Sequence, residues 1–269
     1  MFCICRNLFL PVTHMLTLSM AIITQKLKMH LKIILFLVLA AGMVMNGMAQ
    51  SQFSGWLAAF NTIKLNNNFS FYSDVQVRSN DQWQHMQSLL LRPGLNYNIA
   101  KNKMLTAGYG YISNRRTVSE VSGYMPEHRI WEQFIVSHPV AFTSLLHRFR
   151  VEQRFIGTPV IENNDLKRDN YVYANRFRYF FRTIVPLSGE KKFEKGMFAS
   201  LQNEVFLNFG NKRNVNGKTF DQNRAYASVG YRVSKTFDIE TGYMNQYVSG
   251  KNDAITNNHI LQLATYLRL

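Results

Sequence analysis

From Phe53 to the last residue, apolar side chains alternate with polar ones, and turn-like segments break the alternation at fairly regular intervals. A period of two marks a strand with two distinct faces, and no stripe at the helical period competes with it. The clearest ladder is Leu146 to Ile156. There Arg148, Arg150, Glu152 and Arg154 share one face, while Phe149, Val151 and Phe155 share the other.

The same alternation predicts strands on both sides of this ladder. Phe69, Phe71, Val75 and Val77 oppose Ser70, Asp74, Gln76 and Arg78. Leu89, Leu91, Leu95 and Tyr97 oppose Ser88, Arg92, Gly94 and Asn96, and Leu105, Ala107, Tyr109 and Tyr111 oppose Thr106, Gly108, Gly110 and Asn114. Inward glycines such as these relieve crowding in a narrow barrel. Further on, Tyr171, Tyr173, Phe177, Tyr179 and Phe181 lie opposite Arg176, Arg178 and Arg182. Glu204, then Arg224 and Arg232, then Asp238 and Glu240, occupy the polar faces of three later strands. The last run sets Leu261, Leu263, Leu267 and Leu269 against Gln262, Ala264 and Arg268. One segment breaks the rule: between Glu127 and Ser137, Glu132 shares a face with Ile130, Phe134 and Val136, and a bulge there is expected.

Alternation alone does not say which face is wet. A soluble sandwich or lipocalin-like barrel hides its apolar face and would leave Arg148, Arg150, Arg154, Arg176 and Arg178 in solvent. A membrane barrel turns apolar side chains to lipid and keeps charge inside. Connections favour the second arrangement. Short ones fall near residues 65–68, 99–103 and 234–236, and longer polar ones span 116–126, 157–169, 210–222 and 248–257, with a lysine-rich exception at 186–196. The expected fold is therefore all-β, a transmembrane antiparallel up-and-down barrel. Counting along the chain gives eleven strands. Bacterial single-chain barrels have even numbers, so about twelve are expected, with ten as the alternative.

The N-terminus strengthens the membrane reading. Lys26, Lys28 and Lys32 precede an apolar run from Ile33 to Val44, which ends in Gly47-Met48-Ala49-Gln50. That is the layout of a secretory signal peptide, with cleavage expected after Ala49. Residues 1–49 are read as an N-terminal extension plus that signal, with Met29 a credible start, and residues 50–269 as a single barrel domain. Both cysteines, Cys3 and Cys5, would be lost, leaving no disulfide chemistry in the mature product. Four of the 31 basic residues and none of the 16 acids lie in residues 1–49, so the mature chain keeps a net charge of +11. In a soluble protein this would point to nucleic acid. Here the excess is mostly arginine spaced two apart in strands, which lines a face rather than forming a tail, and no nucleic-acid partner is expected.

Glu127-His128-Arg129-Ile130-Trp131-Glu132-Gln133 and His147-Arg148-Phe149-Arg150-Val151-Glu152-Gln153-Arg154-Phe155, with Asn175-Arg176-Phe177-Arg178-Tyr179 and Trp56, resemble the "domain of unknown function 2490" family. The resemblance covers nearly all of the mature chain. It implies an outer-membrane β-barrel of the kind common in Bacteroidetes and related Gram-negative bacteria, and it brings no activity or catalytic residue with it. The terminal strand also resembles the C-terminal signature read by barrel insertion machinery, with Leu269 where Phe is commoner.

Candidate chemistry is confined to the inward charges: Arg148, Arg150, Glu152, Arg154, Arg176, Arg178, Arg182, Glu204, Arg224, Arg232, Asp238 and Glu240. Bidentate arginine–carboxylate pairing would satisfy such groups in a narrow lumen. The first expectation is thus a structural barrel filled by this network. The alternative is a small anion-preferring channel, since arginine rings suit anion pores. An enzyme processing lipid or peptide is a third reading. The mature histidines, His85, His128, His138, His147 and His259, sit in no nucleophile motif and no metal-ligand spacing. No catalytic residue, metal or cofactor is expected; the expected partners are outer-membrane lipid and the insertion machinery.

Overall fold

The computed structural model describes residues 50–80, 83–141, 143–189 and 192–269. The expected signal peptide and N-terminal extension lie outside these residues. Eleven strands run in sequence: β1 (Gln50–Lys64), β2 (Phe69–Asn80), β3 (His85–Ala100), β4 (Lys103–Val118), β5 (Val121–Val140), β6 (Thr143–Glu162), β7 (Asp165–Pro186), β8 (Gly196–Phe209), β9 (Phe220–Ser234), β10 (Phe237–Ser249) and β11 (Ile255–Arg268). Each pairs antiparallel with its neighbour in sequence. The barrel then closes through β1 and β11, which run parallel from Gln50↔Thr256 to Thr62↔Arg268.

Eleven is one fewer than the even number expected. Parity matters only if every pair, including the closing one, must be antiparallel. A parallel ladder is slightly less stable per residue but satisfies the same backbone groups. The closing seam is also reinforced at its end. Lys64 N–H donates to the Leu269 carbonyl at 2.6 Å, Leu269 N–H donates to the Thr62 carbonyl at 2.8 Å, and Phe60 stacks on Tyr266 at 5.0 Å.

Two expected long loops are instead strand. β4 and β5 continue to a turn at Ser119-Glu120, and β6 and β7 to one at Asn163-Asn164. All four turn residues have positive φ (45° and 70°, then 53° and 60°), the geometry that matches the twist of a two-residue hairpin. The end of the barrel carrying these turns and Gln50 is called the far end below. The near end carries Leu269 and the turns at 65–68, 101–102 and 235–236.

The faces divide sharply. Outward positions are apolar and exposed: Leu57, Val77, Leu105, Ile130, Phe149, Leu201, Val229 and Leu263 are examples from eight different strands. Inward positions bury polar and charged groups, among them Asp74, Arg92, Glu127, Arg150, Glu152, Arg178, Asp238 and Glu240. The bulge expected in β5 is absent. Its register against β4 and β6 is continuous, and Glu132 simply faces outward, where the Gln153 side-chain amide donates to it at 3.3 Å.

Candidate functional site: the arginine-lined lumen

Strand register decides which inward charges meet. Arg129 lies directly opposite Arg154, and Arg150 opposite Arg178. Like charges facing each other repel, and each pair is neutralised by a carboxylate two residues along the ladder. Glu127 accepts from Arg129 Nε at 2.7 Å and Arg154 Nε at 2.6 Å. Glu152, fully buried, accepts from Arg178 Nη1 at 2.5 Å and Arg176 Nη2 at 2.7 Å, with Arg129 and Arg150 within 3.8 Å. Arg176 also donates to Asp221 at 2.9 Å. This is the far half of the lumen.

Large side chains close the space around that network. Trp131, Phe206, Ile260, Ile112 and Leu90 are at most 2% exposed. Trp131 lies over Gly94 and Gly108, and a Cβ on Gly108 would stand 2.2 Å from the indole and 2.6 Å from the Pro93 carbonyl oxygen. Arg150 covers the other side of the ring at 4.4 Å and donates to Gln133 at 2.6 and 2.9 Å. Small residues on β3 and β4 thus make room for one large residue on β5, and a layer of aromatic and aliphatic groups fills the waist.

Toward the near end the lumen widens into a cavity of about 340 Å³. It reaches from Trp56 and Arg224 at the waist to Ser144, Ile184 and Arg268 at the near end. Nine arginines line it against three acids, Asp74, Glu204 and Asp238. Asp74 pairs with Arg92 at 2.6 Å, Glu204 accepts from Arg148 at 2.7 Å and from Arg178 at 2.7 and 3.0 Å, and Asp238 pairs with Arg232 and Arg268, each at 2.9 Å. Glu240 holds Arg182. Among the described residues the Arg224 guanidinium makes no hydrogen bond, its nearest carboxylate oxygen lying 3.9 Å away on Glu204, and the Arg78 guanidinium donates only to Gln76. Both lie over Trp56, Arg78 at 3.8 Å and Arg224 at 5.0 Å.

All twelve charges singled out from the sequence lie in the lumen, and each has an ion-pair partner within 4 Å. Seven more belong with them: Asp74, Arg78, Arg92, Glu127, Arg129, Asp221 and Arg268. A signal for six existed. Asp74, Arg78, Arg92 and Arg268 stood on correctly assigned polar faces, and Glu127-x-Arg129 has the same two-residue spacing as the arginine ladder. The misplaced emphasis on Glu132 hid the latter pair. Asp221, at the start of β9, carried no pattern of its own.

The histidines lie elsewhere. His128 meets Tyr109 Oη and Tyr171 Oη, His147 meets Tyr179 Oη at 2.9 Å, and His259 meets Tyr243 Oη at 2.5 Å. These contacts sit on the outer face and satisfy the rings without a carboxylate or nucleophile. Among the described residues no three His, Cys, Asp or Glu converge as metal ligands.

A family model for proteins of unknown function (DUF2490) matches residues 53–257. The chain belongs to the DUF2490 family. In this DUF2490 chain the matched span begins within β1 and ends at the start of β11, so it takes in β2 to β10 entire. Comparisons with curated proteins and with solved structures find no match.

Proposed function

We propose that the chain is an outer-membrane β-barrel whose waist is held shut by its arginine–carboxylate network, a structural barrel rather than a through pore. The inside-out distribution of polarity carries this reading: apolar side chains cover the outside of the wall while ion pairs fill the inside. Apolar exposure on this scale is unfavourable in water and favourable against acyl chains. Tyrosine–histidine pairs toward the strand ends fit the headgroup level on either side of that belt. On this reading the near end faces the periplasm, lipid is the lateral partner, and β11 is the strand that insertion machinery would read.

One observation favours an anion-selective channel, namely the arginine excess around the near cavity. The buried layer of Trp131, Phe206 and Ile112 weighs against it, because current would have to pass that layer. Protein refolded in detergent should migrate as a compact band that shifts on boiling, and should give no unit current in planar bilayers. A barrel soluble without detergent would overturn the membrane assignment. A steady anion current weakened by Arg150→Ala or Arg178→Ala would replace the closed barrel with a channel.

A further inference from the structure

The near cavity has two unlike walls. At the waist lie Arg78 and Arg224, over Trp56; nearer the mouth lie Phe60, Leu146, Phe180 and Ile184, among arginines already paired with acids (Arg148 with Glu204, Arg182 with Glu240, Arg232 and Arg268 with Asp238). Unmatched cations at the inner end, with hydrocarbon and matched charge toward the opening, are the complement of a small molecule with an anionic head and an apolar body. We infer that this cavity binds an amphiphilic organic anion, its carboxylate or phosphate head held at Arg78 and Arg224 and its apolar body lying against Phe60, Leu146 and Phe180.

Unused hydrogen-bonding capacity supports the assignment. Arg92 Nε, Arg148 Nε, Arg224 Nε and the Tyr226 hydroxyl are buried without a partner among the described residues, and all four residues line this cavity. Arg92 and Tyr226 are at most 4% exposed. Buried polar groups are normally paired, so several orphan donors in one chamber mark a place where an acceptor belongs. Charge points the same way. The far half spends its carboxylates on its arginines, whereas among the described residues Arg78 has no carboxylate within ion-pair distance and Arg224 has one only at 3.9 Å. A charge desolvated without a partner is costly, and an incoming anion would relieve that cost. Both guanidinium groups are anchored by stacking on Trp56, which fixes them before a ligand arrives. A volume of about 340 Å³ falls within the range of small-molecule sites and suits a head with a medium-length chain.

The inference rests on the closed-waist reading, which bilayer conductance tests separately. The direct experiment is calorimetric titration of the full barrel in zwitterionic nanodiscs with octanoate, octyl phosphate, octanol, octyltrimethylammonium and inorganic phosphate. Empty discs and discs holding Arg78→Gln/Arg224→Gln barrel serve as references, so that partitioning into lipid subtracts out. Octanoate, octyl phosphate or both should saturate one site, the better head distinguishing a fatty acid from a phosphorylated ligand. Octanol and octyltrimethylammonium should leave the site empty. The double substitution should weaken binding by about tenfold or more, the loss of a charged hydrogen bond. It removes no hydrogen bond to a carboxylate among the described residues, and Glu204 keeps Arg148 and Arg178, so its compact gel band should persist. Equal binding of octanol and octanoate, no saturable binding, or affinity unchanged in the double variant would each overturn the assignment. Inorganic phosphate binding as tightly as octyl phosphate would overturn its amphiphilic part.

Discussion

In the far half of the lumen Arg129 and Arg154 share Glu127, and Arg176 and Arg178 share Glu152. In the near half Arg78 and Arg224 stack on Trp56 with no carboxylate in hydrogen-bond contact among the described residues. The two halves use the same residue type, on β5 to β7 in one and on β2 and β9 in the other, yet one is a closed network and the other a lined chamber. The difference lies in carboxylate placement. Where an acid stands two residues from an arginine pair, the ladder locks; where the neighbouring inward positions carry Gln76 or Tyr226, and Glu204 opposite Arg224 turns to Arg148 and Arg178 instead, the guanidinium groups remain available.

Removing the carboxylate that locks the far half should produce the largest effect. Glu152→Gln leaves Arg176 and Arg178 in their buried setting without their shared acceptor charge. Breaking a buried pair this way costs about 3–5 kcal/mol, because the partner charge stays behind. The unfolding midpoint of the refolded barrel in a fixed detergent should fall accordingly. A midpoint within error of wild type would mean that the network does not hold the waist.

The steric side of the waist should respond less. Gly108→Ala places a methyl group 2.2 Å from the Trp131 ring and 2.6 Å from a backbone oxygen, neither of which can yield without displacing the packed layer. Overpacking of this kind costs about 1–3 kcal/mol. The near half predicts a different sign. Arg78→Gln/Arg224→Gln deletes two charges that hydrogen-bond to no acid among the described residues, and Glu204, 3.9 Å from Arg224, keeps Arg148 and Arg178, so the same midpoint should stay within about 1 kcal/mol of wild type or rise. A drop as large as that of Glu152→Gln would erase the distinction between the halves.

Much of this was legible in the sequence, for a specific reason. A period of two is a property of the strand itself, so Phe149/Arg150 or Phe177/Arg178 could be assigned to opposite faces before their neighbours were known. Register is a property of pairs, and no pattern within β6 shows that Arg150 will lie opposite Arg178 and Glu152 opposite Arg176. The division of the lumen into halves depends on that pairing and stayed hidden. Turn chemistry explains the misread loops. Asn163-Asn164 has residues suited to positive φ, but Ser119-Glu120 does not, and a polar run around it looks like a long loop. The strand count came within one of the expected twelve: eleven was readable from the alternation, and only the assumption of an antiparallel closing pair displaced it.

The smallest effect belongs outside the barrel wall, and it calibrates the others. Lys218 donates to Asp253 at 2.5 Å in the loops beyond β8 and β10, and this hydrogen bond, with the ammonium charge, holds the Asp253 carboxyl below the ordinary aspartate range. A depressed carboxylate contributes stability above the unfolded value near pH 4 and loses it as the pH falls through the folded one. Asp253 is 91% exposed, however, so water and salt screen the pair nearly completely. Asp253→Asn should therefore leave the unfolding midpoint unchanged at neutral pH and at pH 3 alike. Should it shift the midpoint as far as Gly108→Ala does, surface charge would matter as much as waist packing, and the contrast between the halves could not be read from stability.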